Sequence, residues 1–143
     1  MADPWKPYID NLVGSKAATK AAIIGILAEE NQKGAVWTQS ADLGVPTRDD
    51  PDVLAIIDIL QNPNYEQARG QLQSNGFRFK GTKYIMTRFE GGHHLYGSKS
   101  GEGCIIVKSA RTIILAICDS SIDQKQCAAA VEGLADYLRK MNY

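Results

Sequence analysis

The sequence predicts an α+β fold. It should hold a single central antiparallel β-sheet flanked on both faces by helices, with the N- and C-terminal helices packed together on one face. Three observations carry that expectation. From Gly76 onward the chain reads as short β runs ("FRFKG", "TKYIMTRFE", "HHLYGS", "GCIIVKS" and "RTIILAIC") separated by glycines or by Ser109-Ala110. Such spacing permits hairpins and leaves no room for helical crossovers. The run "TIILAIC" is apolar along its length and not at alternate positions, the pattern of a strand covered on both faces. Amphipathic stripes at helical spacing stand at both ends and over 51–60.

Trp5, Tyr8, Ile9 and Leu12 fall at i, i+3, i+4 and i+7, one stripe of an amphipathic helix. Asp3-Pro4 reads as its cap and first turn, with Pro7 delaying the regular helix by a turn. "AAIIGIL" (21–27) and "AVWTQS" (35–40) read as strands joined through the polar "AEENQKG". In "DDPDVLAIIDIL" an acidic cap and Pro51 precede Val53, Ile56, Ile57 and Leu60 on one face, a second helix. "NPNYEQARGQLQSNG" reads as a turn, one short helix and another turn. After the β region, Asp123 with Gln126 makes a capping-box pattern. Cys127, Val131, Leu134, Leu138 and Met141 then follow one stripe of a final helix. At about 100° per residue, Tyr137 lies about 80° from the centre of that stripe, at the seam between buried and exposed.

The 143 residues fit one domain, 1–143, large enough for a proper core. Lys and Arg number 16, as do Asp and Glu, so no global field recruits nucleic acid or an anionic membrane. No apolar run approaches the roughly 20 residues of a membrane span, and "MADPWKPYIDN" lacks the basic flank and apolar core of a signal peptide. Cys104, Cys118 and Cys127 form an odd set without C-x-x-C spacing, which reads as buried free thiols in a reduced, cytosolic compartment.

Catalytic and metal chemistry find little support. On a strand, the neighbours His93 and His94 point to opposite faces and cannot chelate one ion, so no metal is expected. The glycine-rich "GGHHLYGSKSGEG" is not a phosphate loop, because Gly97 is followed by Ser98 where a lysine is required. No spacing sets a nucleophile beside a base, and neither an enzyme nor a cofactor is expected.

The aromatics at the two ends have two readings. As core filler, Trp5 and Tyr8 anchor the first helix and Trp37 fills the sheet beneath. If instead the terminal helices lie side by side over Trp37, the rings of Trp5, Tyr8, Trp37, Tyr137 and Tyr143 converge. An aromatic-lined groove with hydroxyl and indole donors is the surface a polyproline II helix docks into. Proline rings pack on the flat faces, and the stiffness of the ligand lowers the entropy lost.

The order and spacing of several segments resemble the profilin family over nearly the whole chain. These are "W-x-x-Y-I-D-N-L", "AAIIG…GAVWTQS", "PDVLAIIDIL", "GTKYIMTR", "YGSKSGEG" and "CAAAVEGLADYLRKMNY". The region 61–76 is longer than the family pattern. The resemblance implies a monomeric, cytoplasmic and cytoskeletal actin-monomer-binding protein that also binds proline-rich partners and phosphoinositide head groups. It assigns the polyproline groove to Trp5, Tyr8, Trp37, Tyr137 and Tyr143. It assigns actin contacts, on the opposite side, to Lys83, Met86, Arg88, Lys99, Lys125, Ala129 and Glu132. The family's basic pair near "YGSKSG" stands here as Tyr96 and Ser98, with Lys99 adjacent.

Two other readings stay open at this point. One is a scaffold for proline-rich peptides with weak or no actin binding. The other is a small ligand-binding or sensor domain, which predicts a cavity and polar residues inside the sheet.

Overall fold

The computed structural model describes residues 5–15, 18–27, 33–40, 43, 50–90, 93–119 and 121–143. The elements in chain order are α1 (Lys6–Gly14), β1 (Lys20–Gly25), β2 (Val36–Gln39), α2 (Pro51–Gln61) and α3 (Tyr65–Asn75), then β3 (Phe77–Phe79), β4 (Thr82–Glu90), β5 (His94–Lys99), β6 (Glu102–Lys108), β7 (Thr112–Cys118) and α4 (Gln124–Lys140). The strands form one seven-stranded sheet in the order β2-β1-β7-β6-β5-β4-β3. Every neighbouring pair is antiparallel. Pairing β1 with β7 closes the early strand pair onto the late meander, with Ala22 opposite Leu115.

Helices cover both faces. On one side Val53, Ile56, Ile57 and Leu60 of α2 and Ala68 and Leu72 of α3 pack with Phe77, Tyr84, Phe89, Cys104, Ile106, Ile113 and Leu115. On the other, Ile9 and Leu12 of α1 and Cys127, Val131, Ala135 and Leu138 of α4 pack with Ile23, Tyr96, Ile105, Ile114 and Ala116. β7 is buried at every position, because its alternate side chains serve the two cores in turn. Among the described residues, no helix is long and apolar enough to cross a membrane.

Local chemistry fixes the helix ends. Asp50 Oδ1 accepts from the amides of Asp52 at 2.9 Å and Val53 at 3.2 Å, with Pro51 at the first helical position. Asp123 Oδ1 accepts from the Lys125 amide at 2.9 Å. Each side chain satisfies orphan donors of a first turn, worth typically about 1 kcal/mol.

Four expectations need correction or limits. The cap expected at Asp3-Pro4 lies outside the described residues. Pro7 does not delay α1, which begins at Lys6, because proline in the first turn withholds an N–H that has no partner there anyway. The segment after α2 forms the eleven-residue α3, not a short helix between turns. Asn64 Oδ1 caps it through the Gln67 amide at 3.1 Å, and only Ala68 and Leu72 are buried, so its apolar signal is thin. The buried stripe of α4 runs through Ala135, while Met141 is exposed. Ala135 sits four residues from Val131 and so stays closer to that stripe than Leu134 does.

Cys104, Cys118 and Cys127 are free and fully buried. Burial pushes the Cys104 thiol up. A hydrogen bond with Cys118, and then burial, push Cys127 up. The same hydrogen bond lowers the Cys118 thiol, but all three sulfurs are shut off from solvent, so all three should react slowly with an aromatic disulfide reagent in the native state and rapidly in urea. A fast native phase equivalent to one or more thiols would contradict this packing.

Candidate functional site: an aromatic groove and a charged cleft

Two antiparallel helices build the groove. The start of α1 meets the end of α4, since the Tyr8 and Tyr137 rings lie 5.8 Å apart. At the other ends, Val13 shares a surface cleft with Ile122 and Gln126. The fully buried Ile9 and Leu12, only 5% exposed, anchor α1 on the sheet, so Trp5 and Tyr8 stand at its upper edge. Lys6 Nζ donates to the Gln39 carbonyl at 3.2 Å, tying α1 to β2. Trp37 rises from β2 on the same face.

The chain after α4 turns back sharply. Asn142 has φ of 68°, and the amides of Asn142 and Tyr143 donate to the carbonyls of Arg139 at 3.0 Å and Leu138 at 2.8 Å. That pair of bonds is a Schellman ending, in which asparagine tolerates the left-handed position. It lays the Tyr143 ring edge-on against Trp5, with centroids 4.8 Å apart, and against Trp37 at 6.1 Å. Trp5 lies 5.1 Å from Trp37 and 6.1 Å from Tyr8. All five rings that the sequence singled out therefore form one continuous array. Trp5, Tyr8, Trp37 and Tyr143 are half-buried, and Tyr137 is 50% exposed. Burial and then a hydrogen bond with Tyr137 raise the Tyr8 pKa, so its hydroxyl keeps its proton at neutral pH. Ring pairs in such tilted and edge-on geometries contribute about 0.5–1.5 kcal/mol beyond area burial. The array is thus rigid while it still presents ring faces outward.

A cleft of about 350 Å³ lies between α4 and strands β4 and β5, lined by Arg88, Tyr96, Gln124, Lys125, Ala129 and Glu132 among others. Arg88 pairs with Glu90, and its Cζ lies 5.4 Å from the centre of the Tyr96 ring. Glu132 accepts from the Tyr96 hydroxyl and faces His94 Nε2 at 3.1 Å. Burial, then the hydrogen bond to Glu132, push the Tyr96 pKa up.

Of the seven positions that the resemblance assigns to this second surface, the structure brings together Arg88, Lys125, Ala129 and Glu132. Lys83 is exposed near the start of β4, opposite Arg78 of β3 and outside the cleft lining. Met86 packs instead against the α2–α3 core. Lys99 is exposed at the end of β5, three residues beyond Tyr96, and strand alternation puts it on the opposite face. A register shift in the β4–β5 pairing between Met86 and Arg88 breaks the simple alternation of β4. Sequence reasoning missed Ile85, 70% exposed on the cleft side by alternation from Tyr84, and named Tyr96 only as standing where the family has one of a basic pair. The signal for Ile85 was its place between Tyr84 and Met86, both of which serve the other core.

Among the described residues, no group of three or more His, Cys, Asp or Glu side chains is arranged to hold a metal ion. Between Ile113 and Ile117 the central strand presents apolar side chains to both layers.

A family model described as Profilin matches residues 3–143. Profilin-2 of Acanthamoeba castellanii is 33% identical over 135 residues, 94% of each chain. The crystal structure of A. castellanii profilin II superposes with a TM-score of 0.81 at 31% identity, covering 97% of this chain and 99% of that one. Mouse profilin IIa, solved in complex with a double repeat from the FH1 domain of mDia1, matches with a TM-score of 0.74 over 98% and 99% of the two chains. At its 19% identity, that likeness speaks to the fold.

Proposed function

The chain belongs to the profilin family, and from that membership we propose that residues 1–143 work as one unit with two binding surfaces. The groove of Trp5, Tyr8, Trp37, Tyr137 and Tyr143 takes a polyproline II segment. The cleft side around Arg88, Lys125, Ala129 and Glu132, with Lys83, takes an actin monomer. Profilins are non-enzymatic actin-binding proteins, so the activity is adaptor work. The protein hands actin subunits to partners that carry proline-rich segments, and so regulates filament assembly.

The convergence of all five rings within centroid distances of 4.8 to 6.1 Å is the observation that carries this reading. Phosphoinositide head groups are a further proposed ligand. Arg78, Lys83, Arg88 and Lys125, all exposed, offer cations to such anionic groups.

The test mixes the purified chain with monomeric actin in the presence and absence of a proline-rich peptide. Both ligands should bind together, each with an affinity unaffected by the other. Binding of the peptide alone would leave a proline-rich-peptide scaffold. A charge reversal separates the surfaces: Arg88→Glu should weaken actin binding a few-fold and leave peptide binding unchanged. Lys99→Glu, on the other face of the sheet, should have the smaller effect on actin. Equal loss of both ligands in Arg88→Glu would show that the surfaces are not separate.

A further inference from the structure

We propose that Ser109 and Asn142 are positioning residues for the aromatic groove, fastening Tyr143 so that its ring is already in place when a proline-rich ligand arrives; the inference rests on the groove reading above. A residue just past a helix end swings unless its main chain is held. At Tyr143 both main-chain groups are held. Its amide donates to the Leu138 carbonyl at 2.8 Å. Its carbonyl accepts from Ser109 Oγ at 2.9 Å and from the Arg111 amide. Ser109 is itself locked, being only 3% exposed. Its amide donates to the Thr112 carbonyl at 2.8 Å, and its Oγ accepts from the Thr112 amide at 3.2 Å. Thr112 Oγ1 lies against the same oxygen. A hydroxyl has one proton and two lone pairs. Of the two carbonyls in reach of the Ser109 proton, that of Tyr143 at 2.9 Å is nearer than that of Thr112 at 3.3 Å, and the Thr112 amide donates to the same Oγ.

Asn142 supplies the other half. Its φ of 68° reverses the chain, and a side chain branched at Cβ is strained there. Arg111 adds a cation 5.6 Å from the centre of the Tyr143 ring. A ring fixed before binding spares the ligand the ordering cost that it would otherwise meet. The β6–β7 turn, which takes no part in the five-ring array, thereby tunes the affinity of the groove.

Ser109→Ala, Asn142→Val and Asn142→Gly test this, using decaproline and monomeric actin as probes. Trp5 and Trp37 are the only two tryptophans of the chain, so indole emission reports the array alone. Ser109→Ala and Asn142→Val should each weaken decaproline binding about tenfold, shift the emission of the free protein, and leave actin affinity unchanged. Asn142→Gly should restore wild-type behaviour, because glycine accepts positive φ. Should Asn142→Val fail to fold, Ser109→Ala carries the test. Unchanged decaproline binding and emission in Ser109→Ala would overturn the inference, as would a loss of actin affinity equal to that of decaproline. Failure of the wild-type chain to bind decaproline would remove the groove reading itself, and this inference with it.

Discussion

Replacing Trp5 by alanine should weaken binding of a proline-rich peptide by about 2 kcal/mol or more, roughly thirtyfold, while the protein stays folded. The indole is the hub of the array, in contact with Tyr8, Trp37 and Tyr143. It is half-buried, whereas Ile9 directly below it is fully buried. Truncating a fully buried aromatic costs about 3–5 kcal/mol. A ring that keeps one face in solvent should cost nearer ~1–2 kcal/mol, since Ile9 and Leu12 still hold α1 on the sheet. Isothermal titration with the peptide, set beside urea unfolding, separates the two quantities. Tyr143→Ala is the companion change and should lose peptide binding with a smaller stability change. If Trp5→Ala unfolds the chain while Tyr143→Ala binds the peptide at full strength, the aromatics are core filler and not a docking surface.

Gly76→Ala should be the most damaging single methyl in the described chain, destabilising it by about 3 kcal/mol or more. Gly76 joins α3 to β3 with φ of 64° and ψ of −155°, a region that side chains essentially never enter. A Cβ there would stand 2.1 Å from the Tyr84 carbonyl oxygen and 3.2 Å from its carbon. That carbonyl cannot retreat, because β4 is held between β3 and β5 with Phe77 directly opposite Tyr84. Gly70→Ala is the control. It sits inside α3 with nothing within 4 Å of the added methyl and should stabilise by about 0.5–1 kcal/mol, because alanine is the better helix former. Urea midpoints that moved the same way in both variants would contradict this account of the α3–β3 junction. Peptide binding by folded Gly76→Ala should match wild type, since the junction packs on the sheet face away from the groove.

The sequence made the β meander legible, and the reason is physical. Turn glycines and Ser109-Ala110 punctuate it, so the expected run 82–90 coincides with β4, and the uninterrupted apolar character of β7 foretold cover on both faces. The convergence of the five rings was legible because Trp5, Tyr8, Tyr137 and Tyr143 lie on and beside two helical stripes that share the sheet face of Trp37. α3 was read too short. Gly70 in its middle and only two buried side chains leave little periodicity to detect. The cleft was the least legible part. Which face Met86, Arg88 and Lys99 serve depends on strand parity and on the irregular pairing between Met86 and Arg88, and an irregularity of that kind leaves no mark in composition or spacing. The clamp on Tyr143 was equally hidden, because Ser109 and Asn142 read as ordinary turn residues until the chain folds back.

The most direct test of the two-surface account is a heteronuclear NMR titration of the isotope-labelled chain with a polyproline peptide. The account predicts that the indole N–H signals of Trp5 and Trp37 and the amide of Tyr143 shift together and saturate. The amides of Lys83, Arg88, Lys125 and Glu132 should stay where they are. Shifts centred on that cleft while both indole signals stay fixed would contradict it.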